Sequence, residues 1–202
     1  ATQQLFALDV ATGKVKAVTD VKGVIGVTQD EGTKRLMVSY QDPTTPPAMF
    51  TVASLAALAT RSSWTQLTDP NPWVREQVAL GEETEVTWTS KDGKKVGGVL
   101  LKPVGYQPGK KYPLIVAIHG GPAAADLLSF NGGYGAQVYA GAGWAVLMPN
   151  YRGSTNYGEA HKNGIVGNYM APGFNDIMAG VDALIKDGLV DSTKMGVLGW
   201  SA

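Results

Sequence analysis

The chain has 202 residues, with 17 Lys and Arg balanced by 17 Asp and Glu, so its formal net charge at pH 7 is zero. An apolar fraction of 44% and a charged fraction of 17% are typical of a globular protein and exclude a wholly disordered chain. The lack of cysteine excludes disulfides, zinc–thiolate sites and a cysteine nucleophile, and the balanced charge gives no indication of a nucleic-acid or anionic-membrane surface.

The two ends of the chain do not resemble the ends of a complete protein. It begins Ala1-Thr2-Gln3 without Met or an apolar signal segment. Its longest apolar runs have about five residues, whereas a membrane-spanning helix needs about twenty. Residues 197–202 have the pattern of a strand that enters a turn. We therefore expect a piece of a longer polypeptide whose remainder is a separate segment, and the sequence assigns no cellular compartment.

Residues 1–75 are predicted to form short antiparallel strands joined by glycine-containing turns. A Pro-rich loop at 42–47 is expected to separate a second pair of hairpin strands from a strand at 49–52. Residues 5–20 and 49–69 are faintly similar to each other, with a spacing of roughly 40–50 residues that is typical of β-propeller blades. This repeat leaves two alternatives open, a propeller or an ordinary antiparallel sheet. The predicted strands are 5–8, 15–18, 24–28, 35–40, 49–52 and 64–69.

A different pattern begins after a Pro- and Gly-containing boundary at about 70–82. A hairpin with Asp-Gly at its turn is predicted first, and three apolar runs that suit buried parallel strands follow it. Apolar residues at helical spacing predict a helix over 175–187, with Gly188 as its C-terminal cap. Strands alternating with helices indicate a doubly wound sheet, which binds ligands at the carboxyl ends of its strands. The predicted strands are 84–89, 96–101, 113–118, 144–148 and 195–198.

Two motifs with a catalytic pattern follow these strands. Gly199-Trp200-Ser201 is the first half of the G-x-S-x-G nucleophile elbow, a strained turn that exposes a serine above the sheet. A bare G-x-S is frequent by chance, so its position after a buried strand carries the assignment. His119-Gly120-Gly121-Pro122 has the pattern of a loop that supplies a backbone N–H group to an oxyanion hole. Glycine lets the backbone approach a substrate carbonyl closely.

Together with Pro149-Asn150-Tyr151-Arg152-Gly153-Ser154, these motifs resemble the prolyl oligopeptidase family of serine peptidases, most closely its acylaminoacyl-peptidase branch. The resemblance implies a β-propeller fragment followed by a partial α/β-hydrolase domain with a doubly wound, mostly parallel sheet. The expected domains are the C-terminal blades of the propeller at 1–75 and the N-terminal half of the catalytic domain at 76–202.

The same resemblance implies roles for individual residues. Ser201 would be the nucleophile, and the backbone N–H groups of Gly121 and Ala202 would form the oxyanion hole. His119 and Gly120 would belong to the oxyanion loop, where some branches of the family place a tyrosine. Arg152 would either contact the substrate or bond structurally to nearby carbonyls or carboxylates.

The chain departs from the family in lacking a complete catalytic triad. On this fold the orienting carboxylate and the histidine base follow the serine, whereas His119 and His161 both precede it. His119 is assigned to the oxyanion loop and His161 to a polar helical surface. Asp176, with the other aspartates of the predicted helix, is expected to be solvated, and Trp200 is expected to pack or to form a pocket wall.

The function that we predict is a serine peptidase that cleaves short peptides through an acyl-enzyme at Ser201. Its expected partners are short peptides and the remainder of the same polypeptide, which would carry the triad Asp and His. The fragment alone is therefore expected to be inactive. We expect no cofactor, metal, nucleic acid or membrane partner. Two alternatives stay open, an esterase or other acyl hydrolase of the same fold and a non-catalytic propeller interaction module.

Overall fold

A computed structural model describes residues 1–201, which form two compact units. The first unit comprises residues 2–78 and 128–130, and the second comprises residues 79–127 and those from 131 onward, with residue 1. Among the described residues, no helix combines the length and apolar character needed to cross a membrane.

The first unit consists of a β-hairpin and a four-stranded antiparallel sheet. The hairpin pairs β1 with β2, and the sheet has the order β3-β4-β5-β6. Both predicted hairpins are therefore confirmed. The elements are β1 (Phe6–Leu8), β2 (Val15–Ala17), β3 (Val24–Gln29), β4 (Leu36–Asp42), β5 (Thr45–Val52), α1 (Leu55–Leu58), β6 (Thr65–Gln66) and α2 (Trp73–Gln77).

The core of this unit lies on one face of the sheet, because alternate residues of a strand point to the same side. Tyr40, Phe50 and Trp64 pack edge to face, with ring centroids 5.7–6.4 Å apart. The Trp64 indole N–H also donates to the Leu58 carbonyl at 3.0 Å, which fastens α1 over the sheet.

Strand β5 begins at Thr45, inside the segment that was predicted to be a Pro-rich loop. Pro46 and Pro47 have no N–H group to donate to a neighbouring strand. They are tolerated because β6 pairs with β5 only beyond them, at Phe50 and Thr51, and because the register with β4 shifts between the pairs Asp42–Thr45 and Tyr40–Ala48. No sheet formed by residues 1–201 closes on itself, so the β-propeller remains a prediction.

The second unit is built on a five-stranded sheet of order β11-β9-β10-β8-β7. Strand β9 runs parallel to both β10 and β11, whereas β8 is antiparallel to both β10 and β7. The doubly wound arrangement is thus confirmed for the last three strands. The elements are β7 (Glu83–Thr89), β8 (Lys95–Leu101), β9 (Tyr112–Ile118), α3 (Ala136–Gly141), β10 (Ala145–Asn150), α4 (Glu159–Lys162), α5 (Ala171–Lys186) and β11 (Val190–Gly199).

Helices on both faces of the sheet explain the unbroken apolar run of β10, which is buried along its whole length. Leu147 belongs to the core that Val181 and Leu184 of α5 complete. The next residue, Met148, points to the opposite face, where its sulfur accepts a hydrogen bond from the Gly133 N–H just before α3. Helix α5 begins four residues earlier than predicted, because its first turn has no apolar stripe to reveal it.

The topology brings three loops together at the carboxyl edge of the sheet. The chain leaves β9, passes through α3 to β10 on one side, and returns through α5 to β11 on the other. Such a change of direction beside a central strand is where open α/β sheets bind ligands. The loops that follow β9, β10 and β11 contain the three motifs of the sequence.

Candidate active site

Ser201 lies two residues beyond the end of β11 in a left-handed backbone conformation, with φ of 65°. Positive φ is uncommon for residues other than glycine and is often found at functional sites. Gly199 packs so tightly that a Cβ atom there would lie 2.8 Å from the Ile118 carbonyl oxygen. The first glycine of G-x-S is therefore required by contact with β9, and the turn leaves Ser201 exposed.

The oxyanion loop lies directly against this turn. A Cβ atom on Gly120 would be 2.5 Å from the Trp200 carbonyl oxygen and 3.0 Å from Ser201 Cβ. The next residue, Gly121, has φ of 133°, and its N–H group has no acceptor among the described residues. The structure thus brings the loop that contains the predicted oxyanion donor against the turn that contains the predicted nucleophile. Ala202, the second predicted donor, lies outside the described residues.

An apolar cavity of about 220 Å³ opens beside Ser201. Its wall combines the end of β9, the loops that follow β9 and β10, and the first turns of α5. Because Ser201 belongs to the lining, a bound apolar group would lie close to the serine. The lining residues are Ile118, His119, Pro122, Tyr151, Ile165, Tyr169, Met170, Gly173, Phe174, Ile177 and Ser201.

The His119 ring is held by two hydrogen bonds and is buried. Its Nδ1 lies 2.9 Å from the Gly120 carbonyl oxygen, and its Nε2 lies 2.9 Å from Ser154 Oγ. Because a carbonyl oxygen only accepts, Nδ1 carries the proton, and in the neutral ring Nε2 accepts from the Ser154 hydroxyl. Both ring nitrogens of His119 are therefore engaged by the two loops, in accordance with its predicted place in the oxyanion loop.

His161 lies in α4, as the predicted helical position implied, and is outside the lining of the cavity, but it is partly buried against the end of β10. Its Nε2 lies 3.1 Å from the carbonyl oxygens of both Asn150 and Tyr151, so this nitrogen donates. Its ring packs on Tyr157, with centroids 5.0 Å apart. Among the described residues, therefore, neither histidine is arranged as the general base that Ser201 would need.

Arg152 is bound by two aspartates and does not line the cavity beside Ser201. Its Nε donates to Asp176 Oδ2 at 2.8 Å, and its Nη2 donates to Asp176 Oδ1 at 2.7 Å. Its Nη1 donates to the Asp92 carboxylate. These hydrogen bonds, first of all those to Asp176, raise the pKa of the guanidinium above its ordinary value. These carboxylate partners favour the structural alternative for Arg152.

The expectation that Asp176 is solvated is wrong, because its side chain is fully buried. Besides Arg152, it accepts a hydrogen bond from the Ser90 hydroxyl at 2.6 Å. From sequence alone, a charged residue on a helix is predicted to face water. The burial of Asp176 becomes evident only from its tertiary partner, Arg152. The Trp200 ring was expected to pack or to form a pocket wall, but it is 80% exposed.

Tyr134 is a residue of the site that the sequence analysis did not identify. Its hydroxyl accepts a hydrogen bond from the Trp200 N–H at 3.0 Å and donates to the Ile118 carbonyl at 3.0 Å. It therefore bridges the ends of β9 and β11 immediately before Ser201. Its backbone has φ of 55°, and no residue pattern in the sequence signals this contact.

Asp126 follows the oxyanion loop and is largely enclosed. Its Oδ2 is buried with no hydrogen-bond partner among the described residues. Burial raises its pKa from an ordinary value of 3.8 to about 6. No group of three or more His, Asp or Glu side chains in residues 1–201 could hold a metal ion.

Comparison with known proteins relates this site to one family. Residues 129–202 match the prolyl oligopeptidase family. The chain is 34% identical over 137 residues to the uncharacterized peptidase YuxL of Bacillus subtilis, a match that covers 67% of this chain and 20% of the relative. It is 34% identical over 119 residues to dipeptidyl-peptidase 5 of Schizosaccharomyces pombe, covering 58% of this chain and 17% of the relative.

A solved structure shows the same relationship over nearly the whole chain. The acylaminoacyl peptidase of Pyrococcus horikoshii matches with a TM-score of 0.78 and 26% identity, over 98% of this chain and 30% of that one. The chain spans about a fifth or less of the length of these curated relatives, at 20% and 17%. Over the matched region, which includes the turn at Ser201, the chain belongs to the prolyl oligopeptidase family of serine peptidases.

Proposed function

We propose that this chain supplies the nucleophile and an oxyanion donor of a serine peptidase that forms an acyl-enzyme at Ser201. The observation that carries the proposal is the contact of Gly120 with the backbone of Trp200 and Ser201. This contact supports the proposal because Gly121, whose N–H has no acceptor among the described residues, is the next residue of the loop that touches the exposed serine.

In the proposed reaction, Ser201 Oγ attacks the carbonyl carbon of a peptide bond and passes its proton to a histidine base. The Gly121 N–H, together with the Ala202 N–H that the family resemblance implies, stabilises the negative charge on the carbonyl oxygen. The base then returns the proton to the leaving amine, and the acyl-enzyme forms. Water, deprotonated by the same base, hydrolyses the ester and restores the serine.

The histidine base and its orienting Asp would come from a further segment of the same polypeptide. This proposal is supported by the two histidines of the chain, which are both engaged in other hydrogen bonds. Without a base the serine hydroxyl is a weak nucleophile at neutral pH, so the 202-residue segment alone would be inactive. We also propose that the first unit belongs to a β-propeller that limits access to short peptides.

The substrate class is inferred from the cavity. Its wall is apolar and contains the aromatic rings of Tyr151, Tyr169 and Phe174, without a charged side chain among the lining residues apart from the titratable His119. Such a cavity favours an apolar or aromatic side chain next to the scissile carbonyl, because burial of apolar surface stabilises binding and burial of an unpaired charge opposes it. Short peptides with such a residue are the proposed substrates.

The test is fluorophosphonate labelling of the full-length enzyme, with the adduct mapped by mass spectrometry. Labelling of Ser201, and its loss together with peptidase activity in Ser201→Ala, is the expected result. An active enzyme in which Ser201 is not labelled would overturn the assignment. Hydrolysis rates for matched peptide amides and esters separate the alternatives: esterase activity without amidase activity would indicate an esterase, and neither activity would favour an interaction module.

A further inference from the structure

The loop that follows β10 runs beside the oxyanion loop and is bonded to it along its length. Two of its side-chain hydroxyls contact the same residue, His119. The remaining contacts extend the pairing as far as Asp126. The hydrogen bonds are Tyr151 Oη to the His119 carbonyl at 2.7 Å, Ser154 Oγ to His119 Nε2 at 2.9 Å, Thr155 N–H to the Ala124 carbonyl at 2.9 Å, and a two-way pairing of the Asn150 amide with the Asp126 backbone at 2.7 and 2.9 Å.

This second loop is itself rigidly fixed. Asn150 and Ser154 are fully buried, and the intervening Arg152 is 6% exposed. The backbone N–H of Arg152 donates to Asp176 Oδ2 at 2.9 Å, in addition to the two guanidinium bonds to the same carboxylate. Segment 150–155 is therefore anchored to α5. A group that is hydrogen-bonded to this segment is held in a defined position.

We propose that the hydroxyl groups of Tyr151 and Ser154 are positioning residues of the oxyanion hole, acting through His119. The inference rests on the proposed function and adds two residues to the machinery of that site. Tyr151 fixes the carbonyl of His119, Ser154 fixes its ring, and the two bonds together set the direction of the peptide groups that continue to Gly121.

The physical reason is the flexibility of glycine. Consecutive glycines at 120 and 121 have more accessible backbone conformations than any other pair, so their N–H groups are not oriented by local preference. Oxyanion stabilisation depends on donors that already point to the developing charge, because a donor that must reorient contributes less. The two hydroxyls fix the loop immediately before these glycines, where a small rotation would misdirect Gly121.

The geometry of Tyr151 allows its hydroxyl group to be removed while the contacts of its ring are kept. Its ring stacks on the His119 ring with centroids 4.7 Å apart and also lines the cavity. Tyr151→Phe keeps the stacking and the cavity wall and removes only the hydroxyl that bonds to the His119 carbonyl. Ser154→Ala removes the partner of Nε2 with little change in volume.

The experiment measures kcat and KM of full-length Tyr151→Phe and Ser154→Ala enzymes with a peptide substrate, per active site counted by fluorophosphonate titration. Removal of one oxyanion donor commonly lowers kcat by about 10²–10³-fold, so misdirection of a donor is expected to lower it by about tenfold in each variant. The value of KM should change little. The affinity for a peptidyl trifluoromethyl ketone, which forms a tetrahedral adduct with serine, should fall by the same factor as kcat/KM.

Tyr106→Phe and Ser192→Ala are the matched controls. Tyr106 precedes β9 and Ser192 lies in the first half of β11, both at the end of the sheet opposite to the site. The controls should keep kcat, KM and inhibitor affinity. If Tyr151→Phe and Ser154→Ala also keep kcat per active site while Ser201 is labelled, the inference is overturned and the proposed function stands.

A double-mutant cycle tests whether Ser154 acts through His119. The loss caused by Ser154→Ala should disappear in a His119→Ala background, because the ring that the hydroxyl positions is then absent. An equal loss in both backgrounds would overturn this route. Failure of Ser201 labelling would instead overturn the proposed function, so the two failures are distinguishable.

Discussion

Asp176 accepts hydrogen bonds from both the backbone N–H and the guanidinium of Arg152, and the two side chains are 0% and 7% exposed. The pair joins the first turns of α5 to the loop after β10. A buried ion pair contributes little when it is compared with apolar residues, but the loss of one partner leaves an uncompensated charge in a dry environment.

Arg152→Met is therefore expected to lower the free energy of unfolding of the second unit by about 3–5 kcal/mol. Native-state hydrogen exchange of the β9 and β10 amides measures this unit separately. Lys162→Met is the control, since it breaks a pair with Glu159 whose side chains are 36% and 75% exposed. The control should lose at most about 1 kcal/mol. Equal losses in the two variants would contradict the structural role of Arg152.

Gly180 in α5 lies against the indole ring of Trp88. A Cβ atom there would approach Trp88 Cε2 to 2.7 Å, closer than any ordinary contact. Gly180→Ala should therefore destabilise the second unit by about 1–3 kcal/mol, although alanine is the better helix former.

Gly141→Ala is the control for this prediction, because Gly141 is also helical but has open space around its Cβ position. This variant should keep or increase the free energy of unfolding by up to about 1 kcal/mol. The same hydrogen-exchange measurement compares both variants. A Gly180→Ala protein as stable as Gly141→Ala would show that α5 can move away from β7.

Asp126 should make stability depend on pH. Its folded pKa of about 6 exceeds the ordinary value of 3.8, so the folded state retains a proton that the unfolded state loses between these pH values. The free energy of unfolding therefore has its full value below about pH 3.8, decreases as the pH rises to about 6, and stays lower above it. Asp126→Asn should remove this loss, which is at most about 3 kcal/mol.

The measurement is the free energy of unfolding from pH 4 to pH 8 for the wild type and Asp126→Asn, whose difference should grow with pH. Asp191→Asn has the opposite sign, because hydrogen bonds from Thr193 lower the pKa of that carboxyl group. The ionised Asp191 carboxylate stabilises the folded state at neutral pH, and this stabilisation is lost on acidification. A pH-independent difference for Asp126→Asn would show that the carboxyl group is not protonated by burial.

Gly120 should tolerate no side chain, since a Cβ atom there would contact the Trp200 carbonyl oxygen at 2.5 Å. Gly120→Ala is expected to reduce the rate of fluorophosphonate labelling of full-length enzyme by at least about tenfold, because it separates the donor loop from the nucleophile. Gly141→Ala serves again as the control and should be labelled at the wild-type rate. Normal labelling of Gly120→Ala would contradict the close contact of the two loops.

The strands at the site could be predicted because each is an unbroken apolar run that ends at a turn-forming segment. Residues 113–118 and 144–148 were identified in this way, and their loops meet at the predicted edge of the sheet. The sequence periodicity also identified α5, apart from its first turn. Local pattern is sufficient here because burial on both faces leaves no polar position in the strand.

The contacts between the loops could not be predicted in the same way. Asp176 has the sequence environment of a solvated helical charge, and Tyr134 lies in a glycine-rich loop without periodicity. Each acquires its role from a partner that is distant in sequence, Arg152 for the former and Trp200 for the latter. Hydrogen bonds of this kind depend on the completed topology and leave no trace in residue spacing.

The wall of the cavity has a consequence for how substrate preference can change. Part of this wall lies just before α5 or in its first turns, at Ile165, Tyr169, Met170 and Phe174. The hydrogen bonds that are proposed to orient the reacting groups instead join the loop after β9 to segment 150–155. Substitutions in this wall can alter which side chain is accommodated while the oxyanion donor and the nucleophile keep their alignment. Under the proposed function, substrate preference would therefore be adjustable at residues 165–174 without a change in the segments 119–126 and 150–155 that hold the oxyanion loop.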